Sequence, residues 1–325
     1  MDHGAAGPGH CEAFTFGDPT PVLDRREVAS YFHAAWNGRF YEPPISLDGL
    51  ARLLPSNPHH QSAITVKANI LSSCFRPTDL VSRQTFKRLA LDYLVFGNAY
   101  AELIANRLGQ PLAIRPIPAR WTRCDRDGGF VILIDGQEQP ITGRVAHLME
   151  PDISQEIYGM PPYTGAVQSA LLNEAATLFR RKYYVNGSHA GFILYMTDPA
   201  QSQDDIDRLR EAMREAKGPG NFRNLFMYAP NGKTDGLKVI PIAEVAAKDE
   251  FLSLKNVSRD DVMAAHRVPP QLMGVIPNNT GGFGDADKAA RVFAANELRP
   301  LMETFKDLNA WAGAPAVRFD DYTVG

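Results

Sequence analysis

Ser188 and His189 set a hydroxyl beside an imidazole, Gly232-Lys233-Thr234 ends like a phosphate-binding loop, and Asp204, Asp205 and Asp207 gather three carboxylates. The chemistries these would serve are nucleophilic hydrolysis, nucleotide binding and magnesium coordination. Spacing argues against each. Adjacent residues of an extended chain point in opposite directions, and no GxSxG elbow surrounds Ser188. A phosphate-binding loop requires a glycine five positions ahead of Gly232, where Met227 stands, and it must open a helix, whereas Gly232 lies in an expected hairpin turn between two strand-like runs. The three aspartates open a helical pattern carrying Arg208, Arg210 and Arg214, where they suit the helix dipole and pair along the surface. His59-His60 has no i, i+4 partner or carboxylate cluster, and His147 and His266 stand alone, so a loop pair and satisfied core or interface histidines are expected rather than metal ligands. Asp320-Asp321 carries no pattern. No cofactor and no metal are expected.

Asn278-Asn279-Thr280-Gly281-Gly282-Phe283-Gly284 is different in kind. Its glycines and asparagines around one Phe describe a mobile loop ahead of the last long helix, fit to act as a lid, as a finger on a variable surface, or as a plain surface connection.

The elements that position these residues follow from periodicity. Residues 1 to about 45 mix Gly, Pro, charge and scattered aromatics without a sustained period, which reads as an arm that lies on something or as a peripheral loop of the first domain. Leu47 to Leu54 and Ser62 to Leu71 are helical, parted by Pro55 to Pro58. Ser82 precedes Phe86, Leu89, Ala90, Tyr93 and Leu94, one apolar stripe on a capped helix. Strand-like runs follow at 98–104, 112–117, 130–134 and 145–149, making 45–160 mixed α+β. From 161 the longest helical signal carries two stripes, Val167, Leu171, Ala175 and Leu178 beside Leu172, Ala176, Phe179 and Tyr183; so wide a face needs several neighbours. A β-rich module with one helix spans 191–242, a second helix runs from about Lys248 to His266, and a last one from about Asp285 to Leu308 is interrupted by Pro300, which should kink it.

Composition excludes several classes. The 325 residues are 44% hydrophobic and 22% charged, as in folded chains. The net charge of −3 leaves no surplus of cations for gripping duplex DNA tightly. Charge-free stretches such as 157–173 are broken by Pro and Gly, so no membrane span is expected. The start lacks a secretory pattern and Cys11, Cys74 and Cys124 are far apart and odd in number, which together suggest a cytoplasmic, reducing setting without a disulfide framework.

Four segments, Asp92-Tyr93-Leu94-Val95-Phe96-Gly97-Asn98-Ala99-Tyr100, Tyr158-Gly159-Met160-Pro161-Pro162-Tyr163, the run from Phe179 to Gly191, and His266-Arg267-Val268-Pro269-Pro270-Gln271-Leu272-Met273-Gly274 leading into the glycine loop, together resemble the bacteriophage portal proteins of the PBSX type, found in Peduovirus-like phages and prophages. The resemblance implies an α+β portal fold and a homo-oligomeric ring, usually of twelve subunits, at the capsid vertex through which double-stranded DNA is packaged and ejected. It implies an N-terminal arm (1–45), a mixed α/β wing (46–160), a stem helix (161–190), a small β-rich clip (191–242), a second stem helix (243–270), a tunnel loop (271–284), and a kinked helix with a C-terminal tail (285–325). In that frame Asn278 to Gly284 with Lys288 and Arg291 face DNA, Arg208, Arg210 and Arg214 contact the terminase large subunit, and Leu171, Leu172, Leu178 and Phe179 form the oligomer interface. Major capsid, scaffolding and head-completion or connector proteins are further expected partners, with assembly in the host cytoplasm and residence in the virion. Twelve copies at −3 carry about −36, which suits a ring that lets a polyanion slide. A soluble nucleotide-dependent or hydrolytic α+β enzyme is the alternative, and it requires Asp204, His189 or Lys233 to converge in a pocket.

Overall fold

The computed structural model describes residues 34–185, 192–196, 225–228, 237–241, 245–274 and 286–323. Among them one compact unit takes in the chain up to Leu172 and from Val257 onward, and a second takes in 173–256.

The larger unit starts with α1 (Leu47–Ser56) and α2 (Pro58–Cys74). Ser46 caps the first through Gly49 N. The expected break between them shrinks to Asn57, whose Oδ1 accepts from the amides of His59 and His60 while Pro58 takes the first helical position, where a missing N–H costs nothing. His59 and His60 therefore open a helix and do not lie in a loop. The third helix, α3 (Arg83–Phe96), is capped by Ser82 as its sequence predicts and buries Phe86, Leu89, Ala90, Tyr93 and Leu94.

Strands β1 (Ala35–Trp36), β2 (Tyr41–Glu42), β4 (Asn98–Ala105), β5 (Pro111–Ile117), β6 (Thr122–Cys124), β7 (Phe130–Ile134), β8 (Gln137–Ile141) and β9 (Arg144–Met149) build two main sheets of this unit, ordered β5-β4-β9 and β1-β2-β6-β7-β8, while β3 (Phe75–Arg76) lies in neither. Residues 35–42 thus belong to this sheet. Tyr41 pairs with Cys124 across the larger sheet, and Phe40 is buried. Two-residue strands have no period to read, which is why the sequence hides them.

Helices α4 (Val167–Val185) and α5 (Val245–His266) reach into the second unit. That unit holds β10 (Phe192–Met196), β11 (Leu225–Tyr228) and β12 (Leu237–Pro241). The expected hairpin between the last two does not form: β10 lies between them, parallel to β11 and antiparallel to β12. Parallel pairing needs a long crossover, and 197–224 supplies one, so chain connectivity overrides the local turn signal at Asn231-Gly232. The predicted helix within that crossover lies outside the described residues.

The chain closes with α6 (Ala286–Phe293), a π-turn (Ala294–Leu298), α7 (Arg299–Ala312) and β13 (Arg318–Phe319). The irregularity expected at Pro300 falls just before it, because a proline has no N–H for the carbonyl four residues back and crowds it, and the preceding turn widens. The tail is part of the body. Strand β13 pairs with β3, Asn309 grips Val317 through both N–H and C=O, and Phe75, Phe86 and Phe319 pack ring to ring, with Phe86 also meeting Phe305.

Candidate functional site

The recognisable segments meet. Between α3 and β4, Gly97 has φ +68 and passes so near Met160 and Pro161 that a Cβ would stand 2.6 Å from the Pro161 nitrogen. Gly159 passes closer still. Asn98, wholly buried, uses every hydrogen-bonding position at this junction: Nδ2 donates to the carbonyls of Phe96 (2.7 Å) and Gly159 (2.8 Å), and Oδ1 accepts from Gly159 N (2.8 Å) and His147 Nε2 (2.8 Å). Glu150 completes the splice, its amide donating to Gly97 O, its carbonyl accepting from Met160 N, and its carboxylate accepting from Tyr93 Oη at 2.6 Å. Tyr163 Oη donates to Val95 O, and Tyr158 Oη donates to Tyr41 O while accepting from Cys124 N. These motif residues therefore hold the start of α4 against α3 and β4.

Burial sets the charges. His147 and His60 are pushed down to about 4 by loss of water, and His266 to about 2 by burial together with the nearby His60 and Lys67. Asp92, on α3 and accepting from Ala119 N, is pushed up to about 6 by the same loss of water. Between about 6.5 and about 4 the folded imidazoles bind fewer protons than unfolded ones, so their contribution to stability falls as pH falls; the raised carboxyl acts in the opposite sense. Three groups oppose one. Thermal melting should accordingly drop between about pH 7.5 and about pH 5, and a melting temperature that holds or rises over that range would contradict the buried neutral histidines.

Helices α4 and α5 run side by side in opposite directions. Ser169 Oγ donates to Asp261 Oδ2 at 2.9 Å, and farther along Asn173 Nδ2 donates to Lys255 O at 3.0 Å. Among the described side chains of α4, Val167, Ala170, Asn173 and Ala176 are buried, mostly small ones, rather than the bulky stripes read from the sequence. Leu171 packs partly into the core of its own unit, Leu178 is half-buried, and the Phe179 side chain lies outside the described residues. Leu172 is 46% exposed. On α5, Leu254 and Val257 are exposed too, the latter 59%. Leu172 and Val257 each sit one turn from the Ser169–Asp261 contact in the same direction along the couple, so they share a rim. The sequence reading overlooked Leu254 and Val257, whose spacing of three was the available signal.

Asn278 to Gly284 and Arg208, Arg210 and Arg214 lie outside the described residues, as do Ser188, His189, Asp204, Asp205, Asp207 and Gly232-Lys233-Thr234. The residues on either side of 275–285 are described. On one side Pro270–Met273 forms a 3-10 turn ending at Gly274 (φ +67), and on the other α6 begins at Ala286 and packs beside that turn. Lys288 and Arg291 project outward from α6 three residues apart. Among the described residues no group of three or more His, Cys, Asp or Glu is placed to hold a metal ion, and no helix is long and apolar enough to cross a membrane.

The mixed helix and sheet of the described residues agrees with an α+β portal fold. The family model described as phage portal protein matches residues 54–320, and the chain belongs to that family. It is similar to the "Probable portal protein" of Escherichia phage P2, 49% identical over 98% of this chain and 94% of the relative, and to the "Probable portal protein" of Haemophilus phage HP1 (strain HP1c1), 38% identical over 82% and 80%. Solved structures share the fold. A chain from the neck of a native gene transfer agent particle, computed with C12 symmetry, superposes with TM-score 0.62 at 20% identity over 92% of this chain and 89% of its own. The HK97 family phage portal protein from Corynebacterium diphtheriae does so with TM-score 0.59 at 17% identity, over 83% and 94%. The chain is thus a structural component of a phage particle and not an enzyme.

Proposed function

We propose that this portal protein, of the PBSX type, assembles as a ring of twelve copies at one capsid vertex and serves as the conduit through which double-stranded DNA enters and leaves the head. The observation that carries the reading is the 49% identity, across 98% of the chain, with the probable portal protein of phage P2. The C12 symmetry under which the similar neck was computed supports the subunit number. Residues 46–160 with the last helices serve as wing, α4 and α5 as stem, 191–242 as clip, and 271–284 as the tunnel loop, where Asn278, Asn279, Thr280, Gly281, Gly282, Phe283 and Gly284 touch passing DNA and Lys288 and Arg291 add weak phosphate contacts. Arg208, Arg210 and Arg214 present the clip to the terminase large subunit, which supplies the energy. Capsid, scaffolding and head-completion proteins bind the same ring as it assembles in the host cytoplasm.

Filled-head counts by electron microscopy test the assignment. With Gly281 and Gly282 both changed to Val, backbone conformations open only to glycine are lost, so heads should assemble but fail to fill or to retain DNA. Reversing the charge of Arg208, Arg210 and Arg214 should leave the ring intact and weaken terminase docking. Normal filling by the valine variant would overturn the tunnel-loop role, and normal filling by the charge-reversed one would overturn the terminase dock.

A further inference from the structure

Helix α2 places His60 and Lys67 two turns apart on one face, both buried, and each reaches an attachment point of the 275–285 segment. His60 Nδ1 lies 2.7 Å from Nε2 of His266, the last residue of α5, with the Tyr163 ring stacked on His266. The next residue, Arg267, has φ +54, a left-handed conformation that costs a non-glycine residue about 1 kcal/mol or more. Its Nη1 donates to Glu297 Oε1 at 3.1 Å, while Lys67 Nζ donates to Glu297 Oε2 at 3.0 Å. One carboxylate thus bridges the end of the stem to α2. Glu297 itself belongs to the π-turn that follows α6, so it stands on the other side of the same segment.

Two irregular backbones, a left-handed arginine before the segment and a π-turn after it, are therefore tied by one nearly buried carboxylate whose side chain is 12% exposed. Burying such charges adds little to stability; the best-attested benefit of a buried ion pair is a single fixed register. Burial lowers the Lys67 pKa, and the carboxylates of Glu297 and Glu150 oppose that shift. A cavity of about 180 Å³, lined by Lys67, Glu150, Tyr163, His266, Arg267 and Glu297 among others, adjoins the bridge and leaves these groups room to reorient.

We propose that Glu297 is a positioning residue: held by Lys67 on one oxygen and Arg267 on the other, it sets where both ends of the 275–285 segment attach to the body. The inference rests on the reading of that segment as the tunnel loop only for its consequence in the particle, and the anchoring is measured separately from it. Hydrogen exchange on the full chain reads the anchoring directly. Glu297→Gln turns an amide toward one of the two cations, and exchange at 267–274 and 286–298 should rise by about tenfold while 83–105 keeps its wild-type protection. Glu303→Gln, which removes an exposed carboxylate on α7, should change neither end. Arg267→Gln, at a largely exposed side chain, should loosen 267–274 alone and keeps the test open should the buried variant fold poorly. Unchanged exchange at both ends in Glu297→Gln, or a rise spread evenly over the chain, would overturn the proposal. With the ends loosened, a loss of filled heads ties the anchor to DNA passage; loosened ends with normal filling uphold the anchor and count against the tunnel-loop reading.

Discussion

Gly159→Ala should leave the chain without a folded body. A Cβ at this position would lie 2.0 Å from the Gly97 carbonyl oxygen and 2.4 Å from the Glu150 amide, both backbone atoms that no rotamer change can move aside. The strands and helix on either side would have to part, and with them the Asn98 bonds. Asn98→Ala offers the graded version. It orphans the N–H and C=O of Gly159, the carbonyl of Phe96 and the ring of His147 at a site closed to water, a loss of about 3–5 kcal/mol at about 1–3 kcal/mol per unsatisfied group, allowing for partial relaxation. That is a large share of the roughly 5–15 kcal/mol that holds a typical domain together. Soluble yield and denaturant midpoint measure both variants. A Gly159→Ala protein with the wild-type midpoint would show that the two glycine segments do not cross as closely as described.

Leu172→Asp combined with Val257→Asp should convert rings to monomers while keeping the monomer's melting temperature. Both side chains are exposed on one rim of the α4–α5 couple, so a charge there costs the isolated fold little. In a ring the same charges would be buried against a neighbour, where an unpaired carboxylate is strongly disfavoured. Leu171 is a poorer probe because it packs into its own unit's core, and Leu171→Asp would unfold as well as dissociate. Sedimentation velocity distinguishes the outcomes. Rings that survive the double substitution at wild-type stability would place the interface elsewhere.

Much of the 46–160 region was legible because its signals are local. Ser82 caps a helix whose apolar residues recur at three and four, and the strand-like runs at 98–104 and 112–117 pair as β4 with β5, so element type and position follow from the chain itself. What escaped depends on residues distant in sequence. His60 and His266 look isolated along the chain and lie 2.7 Å apart in space. Glu297 gives no sign that it bridges Lys67 and Arg267, since all three sit on different elements. The Leu225–Tyr228 strand was read as half of a hairpin because turn chemistry at Asn231-Gly232 is visible and the central position of Phe192–Met196 is not. The two-residue strands at 35–42 are held by pairing and by Tyr158, neither of which has a local signature. The four motif segments made the family recognisable, and the two that meet at Asn98 show why glycine and asparagine stand where they do: Gly97 and Gly159 for close approach, Asn98 for four simultaneous hydrogen bonds.

Assembly of the unmodified chain is the most direct test of the whole account. Negative-stain imaging paired with the mass of the purified protein at micromolar concentration and ordinary salt should show a closed ring with a central channel and a mass near twelve times 35.8 kDa. A single species at the mass of one chain, persisting across protein concentration and salt, would contradict it.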